Sequence, residues 1–430
     1  MTEHIHEPAW VEHAIWWRAY PLGFTGAYPA PHDQDAHRLL RLIPWLDHVI
    51  ELGCSGIALG PIFTAATHGY DTLDHSEIDP RLGTLDDFER LVSEAHDRGL
   101  RIQLDGVFNH VGRAHPIAAA ALREGPRTDS LLRTDAPGAA REFVAFEGHE
   151  QLLTLNHDSE RVRDLVVDIM STWLERGADA WRLDAAYAVP TEFWAAVLPD
   201  VRRRYPDVWF EAEVIHGDYA EFAAASSVDA VTQYELWKAI WSSLNDRNFY
   251  ELAWALGRHN EMLERFVPTT FVGNHDVTRI ASQIADPRDL DHALVLLALL
   301  GGTPEIYSGD EFAFRAVKEE RAGGDDAIRP EFPASPDELV GADSRTYHLH
   351  QRLLGLRRRH PWLHRARSKA VEVANERLVL ALTSSDQALR LTLNLGDAAG
   401  PLGPGELVDC DDATRGLTGS VAPHGWCVQA

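Results

Sequence analysis

Eight short apolar runs alternate along the chain with helical stretches, and this alternation limits the fold more than any other feature of the sequence. The runs are Ala14 to Ala19, Gly56 to Leu59, Arg101 to Leu104, Ala180 to Leu183, Val208 to Ala212, Ala230 to Gln233, Thr269 to Val272, and Glu305 to Tyr307. Strands separated by helices cannot pair as tight hairpins; each must lie parallel to its neighbour with a crossover between. Eight such units closed on themselves make an α/β fold of the (β/α)8 TIM-barrel type, with its site at the C-terminal ends of the strands. At 430 residues the chain holds such a barrel and a small accessory domain, with a core that needs no staples.

The intervening helices are legible too. Ser159 stands where a helix cap belongs, Val162, Leu165, Val166, Ile169 and Trp173 follow at helical spacing, and Gly177 ends the stretch. Residues 111–154, rich in Ala, Arg, Gly and Pro, are longer than an ordinary strand-to-helix connection and suit a lid or wall over the site. Beyond Pro361 the pattern changes to short strand-like runs (370–373, 377–382, 388–393) broken by Gly and Pro. The expected organisation is therefore a barrel over 1–110 and 155–363, a short excursion after the third strand over 111–154, and a C-terminal antiparallel β-sandwich domain over 364–430.

Composition excludes several partners. A formal net charge of −26 repels phosphate backbones and anionic lipid surfaces, so neither nucleic acid nor membrane is expected, whereas a neutral sugar suits the balance. Cys54, Cys410 and Cys427 lie far apart, in no metal-ligand spacing, and read as reduced structural thiols. The N-terminus has no basic start followed by an apolar core, which predicts cytoplasmic residence. No apolar run reaches the length of roughly 18 residues that a membrane-spanning helix requires.

Four of the runs lead straight into ionisable residues: Leu104-Asp105 through Asn109-His110, Trp181-Arg182-Leu183-Asp184, Phe210-Glu211-Ala212-Glu213, and Phe271 through Asn274-His275-Asp276. A desolvated charge without a partner costs several kcal/mol, so four such strand ends imply one shared cavity where partners meet. Period two places Arg182 and Asp184 on one face of their strand, where the guanidinium is expected to keep the aspartate ionised as a covalent nucleophile requires. Taken alone, the same pair reads as a structural ion pair. Glu213, nearer the mouth than Glu211 and flanked by Ala212 and Val214, is expected to have a raised pKa and to protonate a leaving group. Glu211 reads as structural. His275-Asp276 sits in a turn presenting both side chains, with a mere turn role as the alternative. Asp105 is expected to hold loop amides, and His110 to face the ligand. An ionised and a protonated carboxyl from different strands are the minimum for cleaving a glycosidic bond with retention, and Tyr70, Trp181, Tyr187, Tyr234 and Trp237 suit sugar faces.

These segments resemble, in order, the four signatures of the α-amylase family of retaining α-glucan hydrolases and transglycosylases (glycoside hydrolase family thirteen), and the resemblance runs over nearly the whole chain. It implies Asp184 as nucleophile, Glu213 as general acid/base and Asp276 as transition-state stabiliser, with Arg182, His110 and His275 touching the sugar at the cleavage subsite. His68-Gly69-Tyr70-Asp71 resembles the family segment after the second strand and implies that Tyr70 stacks under that sugar; His68 and Asp105 complete the expected contact set. The wording Gly106-Val107-Phe108-Asn109-His110 and Tyr70-Asp71-Thr72 is nearest the cyclomaltodextrinase and neopullulanase branch, although that branch has an N-terminal β-domain that this chain lacks before its first strand. Where secreted starch amylases have Lys-His soon after the nucleophile, Ala185-Ala186-Tyr187-Ala188 stands here, which argues against starch. Asn109 matches a calcium ligand of those amylases, yet 111–154 offers no obvious partner carboxylates, so no cofactor and no required calcium are expected.

The expected activity is thus hydrolysis of short, cyclic or branched malto-oligosaccharides, cyclic maltosyl-maltose among them, by double displacement, with an oligosaccharide as partner and a homodimer compatible with the chain. Transglucosylation or a trehalose-forming isomerisation is the same-chemistry alternative. A metal-dependent hydrolase barrel needs a His-x-His on strand one, where Ile15-Trp16-Trp17-Arg18-Ala19-Tyr20 stands. A non-catalytic sugar-binding barrel would not need all three carboxylates. Asp325, Asp326 and Arg329 read as contacts for a second sugar unit or as solvated loop charges.

Overall fold

The computed structural model describes residues 7–29, 36–125, 127, 130–135, 142–321, 323–339 and 343–430. Eight parallel strands form one sheet: β1 (Trp16–Ala19), β2 (Gly56–Leu59), β3 (Arg101–Gly106), β4 (Ala180–Leu183), β5 (Trp209–Ala212), β6 (Ala230–Val231), β7 (Thr269–Phe271) and β8 (Thr303–Tyr307). Their spatial order is β6-β5-β4-β3-β2-β1-β8-β7, and a parallel bridge between Thr232 and Thr269 joins the two outer strands. The sheet closes into a barrel. All eight predicted runs are strands, with trimmed or extended ends. β3 continues through Asp105 to Gly106, and Gln233 leaves β6 to accept a hydrogen bond from the Leu236 N–H at the start of the helix Tyr234–Asn245.

Inward positions follow period two along each strand. At the N-terminal end the interior is apolar: Trp16, Ala58, Ala180, Trp209 and Ala230 form one buried cluster closed from below by Val11 and Ala14. The Trp16 and Trp209 rings stack with centroids 5.9 Å apart. One inward position further on, the residues are charged. Arg18 donates to Glu305 Oε1 at 2.6 Å and lies 3.5 Å from Glu211 Oε2, which also accepts from Gln103 Nε2 at 2.8 Å. Glu211 thus has the structural role expected of it, and burial beside Glu305 pushes its carboxyl up to about 7.

The helix Glu160–Glu175 buries Val162, Val166 and Trp173 as expected, but Val167 and Met170 are buried in place of Leu165 and Ile169, which are half-buried; Gly177 (φ 102°) follows it. Ser159 occupies the cap position, but its side chain makes no cap hydrogen bond, contrary to the expectation from its residue type. The segment after β3 holds an antiparallel ribbon in which His110–Gly112 pairs with His149–Thr154, and a helix Pro116–Glu124; part of the excursion lies outside the described residues. After the barrel, five antiparallel strands, Arg367–Val373, Arg377–Thr383, Ala388–Asn394, Leu407–Cys410 and Trp426–Gln429, form a sheet beside a two-stranded ribbon. The three cysteines are free and buried. Among the described residues no helix is long and apolar enough to cross a membrane.

Candidate active site

Arg182 organises the mouth. It is the second inward position of β4, paired in register with Asp105 on β3 and Glu211 on β5, so its guanidinium emerges among the ends of three strands. One terminal nitrogen donates to both Asp105 oxygens at 2.7 Å and lies 3.4 Å from Asp184 Oδ1; the other meets Glu213 Oε1 at 2.7 Å. Arg182 therefore grips Asp105 and Glu213 more closely than Asp184, and burial with the neighbouring Glu213 charge holds the Asp184 carboxyl well above the usual range. This corrects the expectation that Arg182 simply keeps Asp184 ionised. Glu213 is raised as expected, by burial, against the pull of Arg182. Burial thus raises both of the carboxyls that share this guanidinium.

The backbone assists this pair. Ala185, directly after Asp184, is held in the left-handed region at φ 45°, and its N–H donates to Glu213 Oε2 at 2.9 Å. A residue with a Cβ adopts that conformation at a cost of about 1 kcal/mol, sustained here by the surrounding fold. The Tyr234 hydroxyl lies 3.3 Å from Glu213 Oε1 and accepts from Asn274 Nδ2 at 3.0 Å. An aromatic read as a stacking surface thus also holds a carboxylate.

Asp276 differs from the other two. The turn that presents it passes Gly273, where a Cβ would stand 2.3 Å from Asp310 Oδ2, so a side chain there would have to displace the buried Asp310 carboxylate. Asn274 Oδ1 then accepts from the Asp276 N–H at 2.8 Å. Burial would raise the Asp276 carboxyl, but His275 Nε2 at 3.1 Å, Arg329 at 2.7 Å and Arg182 outweigh it and hold it well below the usual range. Arg329 also donates to the His275 carbonyl at 2.8 Å. This corrects the solvated reading: Arg329 is buried and supports the site. Sequence pattern alone does not signal that role, because a loop arginine 53 positions from its partner has no periodic relation to it.

His275 is buried and kept neutral by desolvation. Its ring lies nearly parallel (4°) to both Tyr70 and Tyr20, and Nε2 is in contact with the Tyr70 hydroxyl as well as Asp276. With Asp276 an acceptor, the Nε2 proton is assigned to that side, leaving Tyr70 to donate to Asp105 Oδ2 at 3.2 Å. Asp105 therefore accepts from Arg182 and Tyr70 rather than from loop amides, because β3 extends through it. His110 Nε2 donates to the Tyr70 carbonyl at 2.9 Å, Nδ1 faces Asn109 Nδ2 at 3.1 Å, and the ring stacks on Phe146. Burial pushes His110 down to about 4, so it is neutral at pH 7 and positions Tyr70 rather than offering a charge. His68 flanks the group, its Nδ1 3.3 Å from the Tyr70 N–H. The structure thus brings Asp105, Asp184, Glu213, Asp276, Arg182, His68, Tyr70, His110 and His275 to one place, whereas Trp181, read as a sugar face, is fully buried in the core against Phe63 and Phe108 because it alternates to the outer face of β4. Missed in the sequence were Tyr20 and the amide of Ala185.

The model of the alpha amylase catalytic domain matches residues 39–376. A cyclomaltodextrinase of Bacillus sp is 27% identical over 424 residues, covering 91% of this chain and 74% of its own, and an intracellular maltogenic amylase of Bacillus subtilis is 30% identical over 338 residues, covering 71% and 56%. The ligand-free cyclic α-maltosyl-(1→6)-maltose hydrolase of Arthrobacter globiformis superimposes with a TM-score of 0.80 at 24% identity, over 98% of this chain and 99% of that one. With the family match spanning most of its length, this chain belongs to the α-amylase family and is a glycosidase.

Proposed function

We infer that the chain hydrolyses α-glucosidic bonds of short, cyclic or branched malto-oligosaccharides by double displacement with retention. The observation that carries this reading is the Arg182 fork, which gathers Asp105, Asp184 and Glu213 from adjacent strand ends into one buried cluster. Asp184 attacks the anomeric carbon while Glu213 gives its proton to the leaving oxygen. Arg182 then stabilises the Glu213 anion, which takes a proton from the water that releases the sugar. Asp276, the carboxylate held most firmly as an anion, faces the positive charge that develops on the sugar ring. Tyr70 supplies a ring face beneath that sugar. The names of the relatives support small or cyclic maltodextrins as substrates, and the word intracellular in one of them supports cytoplasmic residence.

The test is a panel of maltose, maltotriose, panose, pullulan, cyclodextrins and cyclic tetrasaccharides with the wild-type chain. Release of smaller sugars without longer or rearranged products supports hydrolysis; accumulation of longer sugars assigns a transferase instead. In Glu213→Gln, a glycosyl fluoride should load the enzyme, and the adduct should map by mass spectrometry to the peptide containing Asp184. An adduct on another carboxylate overturns the assignment. Turnover should also survive a metal chelator; loss of activity in chelator contradicts the expectation of no required calcium.

A further inference from the structure

A second set of ionisable side chains converges where the C-terminal sheet meets the barrel, and it shares no residue with the Arg182 cluster. Asp286, Asp289 and His292 lie around the short turn Pro287–Asp289 and the start of the helix Leu290–Leu299. His424, 135 positions beyond Asp289, precedes the last strand of the C-terminal sheet. One oxygen each of Asp286 and Asp289 and one nitrogen of His424 lie within 4.8 Å of one another, and His292 Nδ1 is 3.7 Å from Asp289 Oδ1. Asp289 and His292 are fully buried. Each imidazole has one nitrogen committed to an acceptor and the other turned towards Asp289. His292 Nε2 donates to the Gly425 carbonyl at 3.1 Å, which leaves a lone pair on Nδ1, and desolvation keeps the ring neutral. His424 Nε2 lies 3.0 Å from Asp397 Oδ1, and its Nδ1 2.7 Å from Asp289 Oδ1. A doubly protonated His424 satisfies those two oxygens, yet His292 Nδ1 and Asp289 Oδ2 then remain buried without a hydrogen-bond partner among the described residues. A bare imidazole lone pair facing a buried carboxylate is unfavourable, whereas a cation held between them uses both.

We propose that Asp286, Asp289, His292 and His424 bind a divalent transition-metal ion of the zinc class, which clips the C-terminal domain to the barrel. Imidazole and carboxylate together are a zinc donor set, which the ion draws to about 2.0–2.2 Å; Asp286, at the partly exposed rim, closes it by a side-chain rotation. Calcium, which takes six or more oxygens, does not suit two imidazoles. An ion on His424 Nδ1 leaves Nε2 protonated towards Asp397, and one on His292 Nδ1 leaves Nε2 donating to Gly425. Each ligand is thereby oriented from behind by an acceptor, as metal-bound histidines are. Arg288 and Arg247 lie against Asp286 and Asp397, the more exposed members, and the three carboxylates still outnumber them. No spacing motif announces the set, because its fourth ligand comes from a different domain. The ion holds two domains together and takes no part in bond cleavage, so it leaves the expected chelator-insensitive turnover intact.

Titration of zinc(II) into the full chain, stripped with chelator and dialysed, tests this by calorimetry and thermal unfolding. Wild type should bind one zinc per chain, and zinc at about a hundredfold excess over its Kd should raise the melting temperature by about 3–5 °C, whereas calcium should not. His424→Gln and Asp286→Asn, which each remove a ligand, should weaken binding by about a hundredfold, and Asp397→Ala, which frees the His424 ring, by about tenfold. Asp397 is exposed, so its variant keeps the test decisive where circular dichroism shows a ligand variant to be misfolded. Wild type that takes up no zinc overturns the proposal and leaves His424 a protonated bridge between two carboxylates. Stoichiometric binding with Kd within about twofold of wild type in every folded variant overturns it as well, because the ion then sits elsewhere.

Discussion

The two ends of the barrel interior are built on the same strands to opposite purposes. β5 places Trp209 inward at the bottom, Glu211 above it and Glu213 at the mouth; β4 places Ala180, Arg182 and Asp184 in the same sequence. The bottom is apolar, with the Trp16 and Trp209 rings stacked. The charges at the mouth are tolerated because another strand end or a loop supplies their counterparts, as Arg182 does for Asp105 and Glu213 and Arg329 does for Asp276. The backbone period is common to both ends, so function resides in how desolvation is compensated.

The largest separation of the two ends should come from opposite substitutions. Asp184→Asn and Glu213→Gln are expected to lower kcat by about a thousandfold or more while the melting temperature holds or rises, since a raised carboxyl is a strained one. Trp209→Ala should do the reverse, costing about 3–5 kcal/mol in urea unfolding while folded molecules keep their turnover. Substantial kcat in either carboxylate variant would break the contrast. Arg182→Met bridges the two cases: it leaves Asp105 and Glu213 buried and unpaired, so it should lose activity and about 3–5 kcal/mol together. Loss of activity alone would place the guanidinium's role in chemistry only.

A smaller effect concerns the intermediate layer. Glu211, near 7 in the fold and near the ordinary carboxylate value when unfolded, binds its proton more readily in the native state. Its contribution is complete below the unfolded pKa, about 4.3, and is lost as pH rises through 7. Urea unfolding of wild type should therefore lose stability over that window relative to Glu211→Gln, and parallel pH profiles for the two would contradict it. Asp276 has the opposite sign, since its carboxyl is held low; its contribution is present above about 3.9 and fades as pH falls further. Smallest is Ser159→Ala, a control outside both ends, which should stay within about 0.5 kcal/mol because its hydroxyl caps nothing.

The barrel was legible because each strand is short, apolar and bounded by helical stretches, so register and facing follow from period two. The carboxylates were legible because they stand at strand ends where packing cannot account for them. The partners were not. Arg329 reaches Asp276 from a loop, Ala185 offers its amide through a backbone conformation that alanine does not announce, and Asp105 turns to Arg182 only because β3 runs two residues past its apolar stretch. Side-chain type marks where chemistry sits, while the counter-charges depend on loop paths that only the folded chain defines.

The central claim is that the mouth breaks the glycosidic bond through two displacements. Proton NMR of the first product released from a malto-oligosaccharide, recorded before mutarotation, tests it most directly. The α-anomer is the predicted result; a β-anomer at early time would mean a single displacement by water and would remove Asp184 from the role of nucleophile.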